Sequence, residues 1–593
     1  MGSPQSRMRV FAVVVVALAL MAPSAVASAG DEARAFDYTT VQGLSEPTYA
    51  AGDIGRTVVK LKAFDGIDLY IEVIKPKAEG RYPVILEASP YHGTLADRDG
   101  TRILPEPRGT DGKSIGLTGF FAPRGYAVVM MDLRGTGRSQ GCLDHLGPND
   151  ARDVKQVVEW AASQSWSNGR VGMTGHSYVG STPMVAAAQN PKGLVTIVPS
   201  AGLASMYDHQ FQAGVPYLLQ WAGPQWAYEL LAIDRHLPAV GNNPASGGAT
   251  GDNFGNDMQY VGCGAQSSAF TAGEGQVTGL YQSWHRARDS SKLATAWTGT
   301  VFLIHGINDD AARIPAANWF MERGGRAGDK AWIGQWDHGS GCCPNRRGLQ
   351  WPYALLGWFD KQLKGRDVDT GPAAEVFMND APTKSLAVAN FGSRETLQAS
   401  GYPAASSTLS LFPVAADSSL AATPAAAAGS KSFAGDPRGT ALTSSTGTTG
   451  AVTFTTTVFN DDVVLAGMPQ LDLMASVTVP QVHLIGTVYD MHPSGSRRRI
   501  TTFAINPLLR NSIDTYAPVI PGQAMTLRPS GFVMGHHVLP GHRLALEITA
   551  SDEDHVPYSG IDPNITVYTG PGGTALRLPV VDSPVVVEDT VRR

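Results

Sequence analysis

Three residues far apart in this 593-residue chain have the types and the order needed to make an alcohol nucleophilic: Ser177, Asp309 and His338. A serine hydroxyl is inert at its own pKa. It needs an imidazole within hydrogen-bond reach, itself held by a carboxylate. Ser177 lies in Gly175-His176-Ser177-Tyr178-Val179-Gly180, between an apolar run at 171–174 and an alanine-rich helical stretch ending near Asn190. On so tight a strand-to-helix turn the hydroxyl is lifted above the sheet edge, and the Tyr178 backbone N–H points at any oxyanion formed there. The usual turn has glycine two residues after the serine; here that place is Val179, and the glycine is Gly180. Asp309 follows the apolar run 301–305 in Gly306-Ile307-Asn308-Asp309-Asp310, and His338 follows 331–335 in Trp336-Asp337-His338-Gly339. Asp310 and Asp337 compete for the role of acid, and Asp309 is preferred because it comes first off its strand. A second oxyanion donor is needed, for which Tyr91 is a candidate, although loop packing accounts for it slightly better. His176, His305, His536, His537 and His542 are read as packed or surface residues.

These residues need a sheet whose strand ends share one edge. Short apolar runs at 83–87, 126–131, 171–174, 195–199, 301–305 and 331–335 read as parallel strands buried on both faces. Helical patterns separate them, such as 150–160, with Val154, Val157, Val158 and Ala161 on one face. The fold class is α/β, and sites in such open sheets lie at the carboxyl ends of the strands. An antiparallel hairpin, 57–63 and 67–74 around Asp65-Gly66, precedes it, and a last helix at 354–363 closes at Gly365. The expected division is a signal peptide (1–29), the α/β domain in two parts (30–202 and 296–370), a cap insertion (203–295) and a C-terminal β-domain (371–593). The insertion holds Tyr207, Asp208, Trp221 and Trp226 as substrate-binding candidates, although most of its aromatics are expected to pack the cap itself. Strand-like segments at 451–459, 470–477, 483–489, 499–503 and 543–548 suggest a sandwich or jelly roll, with 404–432 as a low-complexity surface loop.

A formal charge of -6 leaves no electrostatic footprint for nucleic acid. Arg7 and Arg9, an apolar stretch at 10–22 and Ala27-Ser28-Ala29 read as an export signal cleaved near Ala29. That stretch falls short of the ~20 residues that span a bilayer, so a secreted protein without a stable membrane anchor is expected. Cys142, Cys263, Cys342 and Cys343 suggest disulfides whose pairing stays open among three possibilities. Their spacing suits no metal, and the chemistry requires no cofactor.

Taken together, the chain resembles the X-prolyl dipeptidyl-peptidase and cocaine-esterase group of serine hydrolases. The matching pieces are Ser89-Pro90-Tyr91, the segment from Asp132 to Ser139, Gly175 to Gly180, His305 to Asp309, Asp337-His338-Gly339, and Trp358 to Gly365. The resemblance implies an α/β-hydrolase domain with a helical cap and a C-terminal jelly roll. It accounts for Gly180 through the group's G-x-S-Y-x-G turn, and it makes Tyr91 the second oxyanion donor beside Tyr178. Ser205-Met206-Tyr207-Asp208 is similar to a segment of the X-prolyl peptidases, which favours release of X-Pro dipeptides from a small peptide substrate. Asp208 or Glu229 could pair with the substrate's N-terminal amine. The alternative is a carboxylesterase acting on small acyl or aryl esters. Amino-acid ester hydrolases carry a Glu-Asp pair where Ala311 and Ala312 stand here, which argues against that branch. A non-catalytic, glycan-binding role for the jelly roll is disfavoured because all three catalytic positions are filled. Oligomeric state is not legible.

Overall fold

The computed structural model describes residues 35–588 apart from 93–97, 102, 219–262, 264–277, 314–317, 339–347, 379–394, 437–449, 530 and 559. Its centre is an eleven-stranded sheet. In chain order the strands are β1 (Ile54–Lys62), β2 (Asp68–Pro76), β3 (Tyr82–Ser89), β4 (Ala127–Asp132), β5 (Ser167–His176), β6 (Leu194–Ser200), β7 (Thr300–Gly306), β8 (Lys330–Gly334), β9 (Ala374–Phe377), β10 (Glu395–Ala399) and β11 (Val585–Glu588). They lie side by side as β1-β2-β4-β3-β5-β6-β7-β8-β9-β10-β11. From β4 to β9 every neighbouring pair is parallel. The hairpin β1–β2 and the strands β10 and β11 add antiparallel edges.

The apolar runs earn their burial by feeding two cores at once. In β7, Val301 and Leu303 join one core while Phe302 and Ile304 join the other; β4 divides in the same way. Helices α1 (Pro148–Ser163) and α2 (Tyr178–Gln189) cover the first face, the former through Val154, Val157, Val158 and Ala161. Helix α4 (Gln350–Lys364) covers the second through Leu355, Trp358, Phe359 and Leu363, and stops at Gly365 in the left-handed region. A short helix α3 (Met206–Gln210) follows β6. Among the described residues no helix is long and apolar enough to cross a membrane.

Two antiparallel sheets, of nine and four strands, make up most of the C-terminal part. Leu471 and Leu473 of one and Val488 and Leu546 of the other share a core. Two expectations need correction. The stretch 404–432 carries strands Ser407–Pro413, Leu420–Ala421 and the start of Gly429–Ala434. Alanine and serine have weak strand propensity, so only pairing with Ala575–Val580 and Asn564–Thr569 makes these segments extended. The division at residue 371 is also too simple, because β9, β10 and β11 belong to the eleven-stranded sheet. Strands of only four or five residues read the same in either sheet.

Candidate active site

Ser177 occupies the turn between β5 and α2 with φ 67° and ψ -129°. A non-glycine residue there costs on the order of 1–3 kcal/mol and persists only where its surroundings over-determine it. The surroundings do so. Ser177 N–H donates to the Ser200 carbonyl at 2.9 Å, and its carbonyl accepts from Ser181 N–H at 3.0 Å. A Cβ on Gly180 would lie 2.2 Å from the Ser200 oxygen, and one on Gly175 would lie 2.4 Å from the Val179 oxygen. Glycine is therefore demanded at 175 and 180 by backbone crossing, whereas Val179 has room to pack in the core.

The structure brings Ser177, His338 and Asp309 together. Ser177 Oγ stands 2.8 Å from His338 Nε2, and His338 Nδ1 stands 2.9 Å from Asp309 Oδ2. A carboxylate only accepts, so Nδ1 carries the proton and Nε2 is left to accept from the serine hydroxyl. Asp309 is buried, and its other oxygen accepts from the N–H groups of Ala311 at 3.0 Å and Ala312 at 2.6 Å. Burial alone would raise its pKa, but the charge and hydrogen bond of His338 outweigh it and hold the carboxyl below its usual range. Asp310 is exposed. A hydroxyl, a base and an orienting carboxylate in this geometry suit acyl transfer.

The two residues expected to supply the oxyanion donors have neighbouring rings. Tyr178 is the first residue of α2, so its N–H belongs to the turn without intrahelical acceptors. The buried Tyr91 ring meets the Tyr178 ring edge-on, with centroids 6.4 Å apart. Beneath Tyr91 lies a buried ionic hub. His92 contacts Asp132 through Nδ1 at 2.9 Å and Glu87 through Nε2 at 3.2 Å, and Arg98 donates to Asp132 at 2.6 Å. Burial would lower the His92 pKa, yet its two carboxylate partners raise it to about 9. The segment from Asp132 to Ser139 wraps this hub. Arg138 N–H donates to Asp132 at 2.8 Å, and a Cβ on Gly137 would lie 2.3 Å from the same carboxylate.

Two histidines read only as packed residues support the site. His176 Nε2 donates to the His338 carbonyl at 3.2 Å, its Nδ1 accepts from Ser200 Oγ at 3.0 Å, and its ring lies 4.9 Å from that of His338. His305 Nε2 donates to the Ala312 carbonyl at 2.7 Å, tying down the Asp309 loop from within β7. Adjacency to Ser177 and to the strand end was the available signal for both. A third support carries no local sequence signal: Arg313 pairs with Asp554 of the β-domain at 3.1 Å.

Of the substrate-binding candidates, Tyr207 donates its hydroxyl to the Gly279 carbonyl at 2.6 Å and packs against Phe211, Tyr281 and His285. Burial and the nearby carboxylates of Asp289 and Glu322 raise the Asp208 pKa to about 7. The next residue, His209, is buried, and its pKa is lowered to about 4 by burial and the nearby His338. Trp221, Trp226 and Glu229 lie outside the described residues, as do Cys342 and Cys343. Cys142 and Cys263 form a disulfide. Among the described residues no group of three or more His, Cys, Asp or Glu side chains is placed to hold a metal ion.

Two family models match the chain: X-Pro dipeptidyl-peptidase (S15 family) over residues 65–340, and the X-Pro dipeptidyl-peptidase C-terminal non-catalytic domain over residues 367–575. A putative Xaa-Pro dipeptidyl-peptidase of Streptomyces avermitilis is 26% identical over 586 residues, covering 86% of this chain and 80% of that one. A putative Xaa-Pro dipeptidyl-peptidase of Bacillus anthracis is 29% identical over 325 residues, where the match spans about half of each chain, 50% and 49%. The fold is similar to that of a CocE/NonD family hydrolase from Staphylococcus aureus, with a TM-score of 0.67 at 18% identity over 91% of this chain and 98% of that one.

Proposed function

Because this chain belongs to the X-Pro dipeptidyl-peptidase family of serine hydrolases, we propose that it releases X-Pro dipeptides from the free N-terminus of peptides through an acyl-enzyme on Ser177. The observation that carries this is the 2.8 Å and 2.9 Å relay from Ser177 through His338 to Asp309. Ser177 Oγ attacks the prolyl carbonyl carbon while its proton passes to His338 Nε2. Asp309 keeps the resulting imidazolium in place. The carbonyl oxygen becomes an oxyanion held by the Tyr178 N–H and the Tyr91 hydroxyl. When the C–N bond breaks, His338 returns the proton to the departing amine. Water then attacks the ester by the same route, freeing the dipeptide and restoring the serine.

Selection of dipeptides requires an anchor for the substrate's ammonium group. Asp208, with Asp289 and Glu322 adding negative charge around it, supplies a field of the right sign. We read the two C-terminal antiparallel sheets as a jelly roll and the first 29 residues as an export signal. The Cys142–Cys263 disulfide supports export, because structural disulfides persist in oxidising compartments.

The test pairs an X-Pro chromogenic amide with a short-chain aryl ester, using Ser177→Ala as the control. Turnover of the amide, abolished in the variant, is expected. Cleavage of the ester alone would replace the peptidase with a carboxylesterase, and activity surviving in Ser177→Ala would remove the mechanism.

A further inference from the structure

The loop between β4 and α1 reaches the residue that follows the nucleophile. Leu146 N–H lies 2.8 Å from Tyr178 Oη and 2.9 Å from Asp150 Oδ2, and Tyr178 Oη donates to that same carboxylate oxygen at 3.0 Å. All three residues are buried. The loop is strained where it makes this contact. His145 and Leu146, neither of them glycine, have φ of 49° and 62°. Consecutive left-handed residues of this kind are held only by strong neighbours. Those neighbours are present. Asp144 accepts from Arg288 at 2.9 Å and from Asn149 N–H at 2.7 Å, and Gly147 N–H donates to the Asp144 carbonyl at 2.9 Å. Cys142, shortly before these residues in the loop, is tied to Cys263.

We propose that Asp150 is a positioning residue of the oxyanion hole: by holding the Tyr178 hydroxyl it fixes the ring and, through the ring, the direction of the Tyr178 backbone N–H. The inference rests on the acyl-transfer reading of Ser177 but not on the identity of the substrate. Tyr178 is attached to the strained Ser177 on one side and to α2 on the other, so its peptide has two ways to rotate out of line. A ring pinned at its far end and packed on Tyr91 removes that freedom. An N–H bond that is already aligned requires no reorganisation when charge develops, which is the source of an oxyanion hole's strength.

The chemistry of Asp150 fits a role in which its hydrogen bonds matter and its charge does not. Its Oδ1 is buried and finds no partner among the described residues. Burial and the neighbouring Asp144 raise its pKa to about 7. An amide of the same shape would place its oxygen where Oδ2 stands and its NH2 in the unpartnered position.

The experiment uses a fluorophosphonate, whose P=O occupies the oxyanion hole as Ser177 Oγ bonds to phosphorus, fluoride leaves and His338 takes the proton. The second-order labelling rate is measured by intact mass at fixed pH, so it reads the hole whether or not the X-Pro assignment holds. Tyr178→Phe and Asp150→Ala should each slow labelling about tenfold, a fraction of the 10²–10³ that loss of a whole donor costs. The double variant should be no slower than the worse single one. Asp150→Asn should recover the rate to within about twofold. A merely structural role predicts a lowered Tm with an unchanged rate per folded molecule. Wild-type labelling by a folded Tyr178→Phe protein, which lacks a single oxygen atom, overturns the proposal even if Asp150→Ala does not fold. Equal loss in Asp150→Asn and Asp150→Ala does the same.

Discussion

Replacing Asp309 by asparagine changes one atom, and the local hydrogen bonds decide its consequence. Oδ1 of Asp309 accepts two backbone N–H groups, from Ala311 at 3.0 Å and Ala312 at 2.6 Å, while Oδ2 faces His338 Nδ1. An asparagine has one oxygen to offer. Turned toward His338, it would set its NH2 against two backbone donors, one half-buried and one buried, and orphaning a buried donor costs about 1–3 kcal/mol. The amide therefore keeps its oxygen on the loop and presents NH2 to His338. Nδ1 must then accept, so the ring proton moves to Nε2, which now donates to Ser177 instead of accepting from it. The hole and the turn stay intact, but the base is in the wrong tautomer. The expected fall in kcat is about 10⁴, equivalent to about 5.5 kcal/mol of lost transition-state stabilisation. Initial rates on whichever amide or ester the wild type turns over provide the assay, with unfolding curves to show that Asp309→Asn remains folded. Asp310→Asn, at an exposed position, should stay within about twofold of wild type. A loss of less than tenfold in Asp309→Asn, or an equal loss in Asp310→Asn, would refute the reasoning.

The His92 hub should make stability depend on pH. A histidine whose pKa rises from 6.5 unfolded to about 9 folded contributes stability that is fully present below pH 6.5 and lost as pH climbs through about 9, about 3 kcal/mol in all. Tm measured from pH 6.5 to 9.5 should fall more steeply in the wild type than in His92→Gln, and parallel curves would disprove the coupling. Gly180→Ala drives a Cβ to 2.2 Å from the Ser200 carbonyl, with no flexible side chain there to yield. It should cost at least about 3 kcal/mol in denaturant unfolding and slow acylation through displacement of the turn; a variant with wild-type stability and rate would show that the crossing can relax.

Much of the catalytic sheet is legible in the order of residues because burial on both faces demands continuous apolar runs. The runs at 301–305 and 331–335 correspond to strands Thr300–Gly306 and Lys330–Gly334, each shifted by a residue at most. The positions of Ser177, Asp309 and His338 follow from the same logic, since residues just past parallel strands share one edge. Local signals failed where a partner lies far away. Nothing near residue 404 says that Ser407–Pro413 will pair with Ala575–Val580, and nothing near residue 585 says that Val585–Glu588 will extend the catalytic sheet.

Chemistry is settled at a different level from support. Residue type alone determines that Ser177 can attack, that an imidazole can relay its proton and that a carboxylate can orient the ring. Which carboxylate does so, which glycine the turn requires, and why His176, His92 and Asp150 matter are decided only when segments dozens to hundreds of residues apart come into contact. Hydrogen bonds and steric clashes act over a few ångströms of space, and position along the chain does not encode that distance.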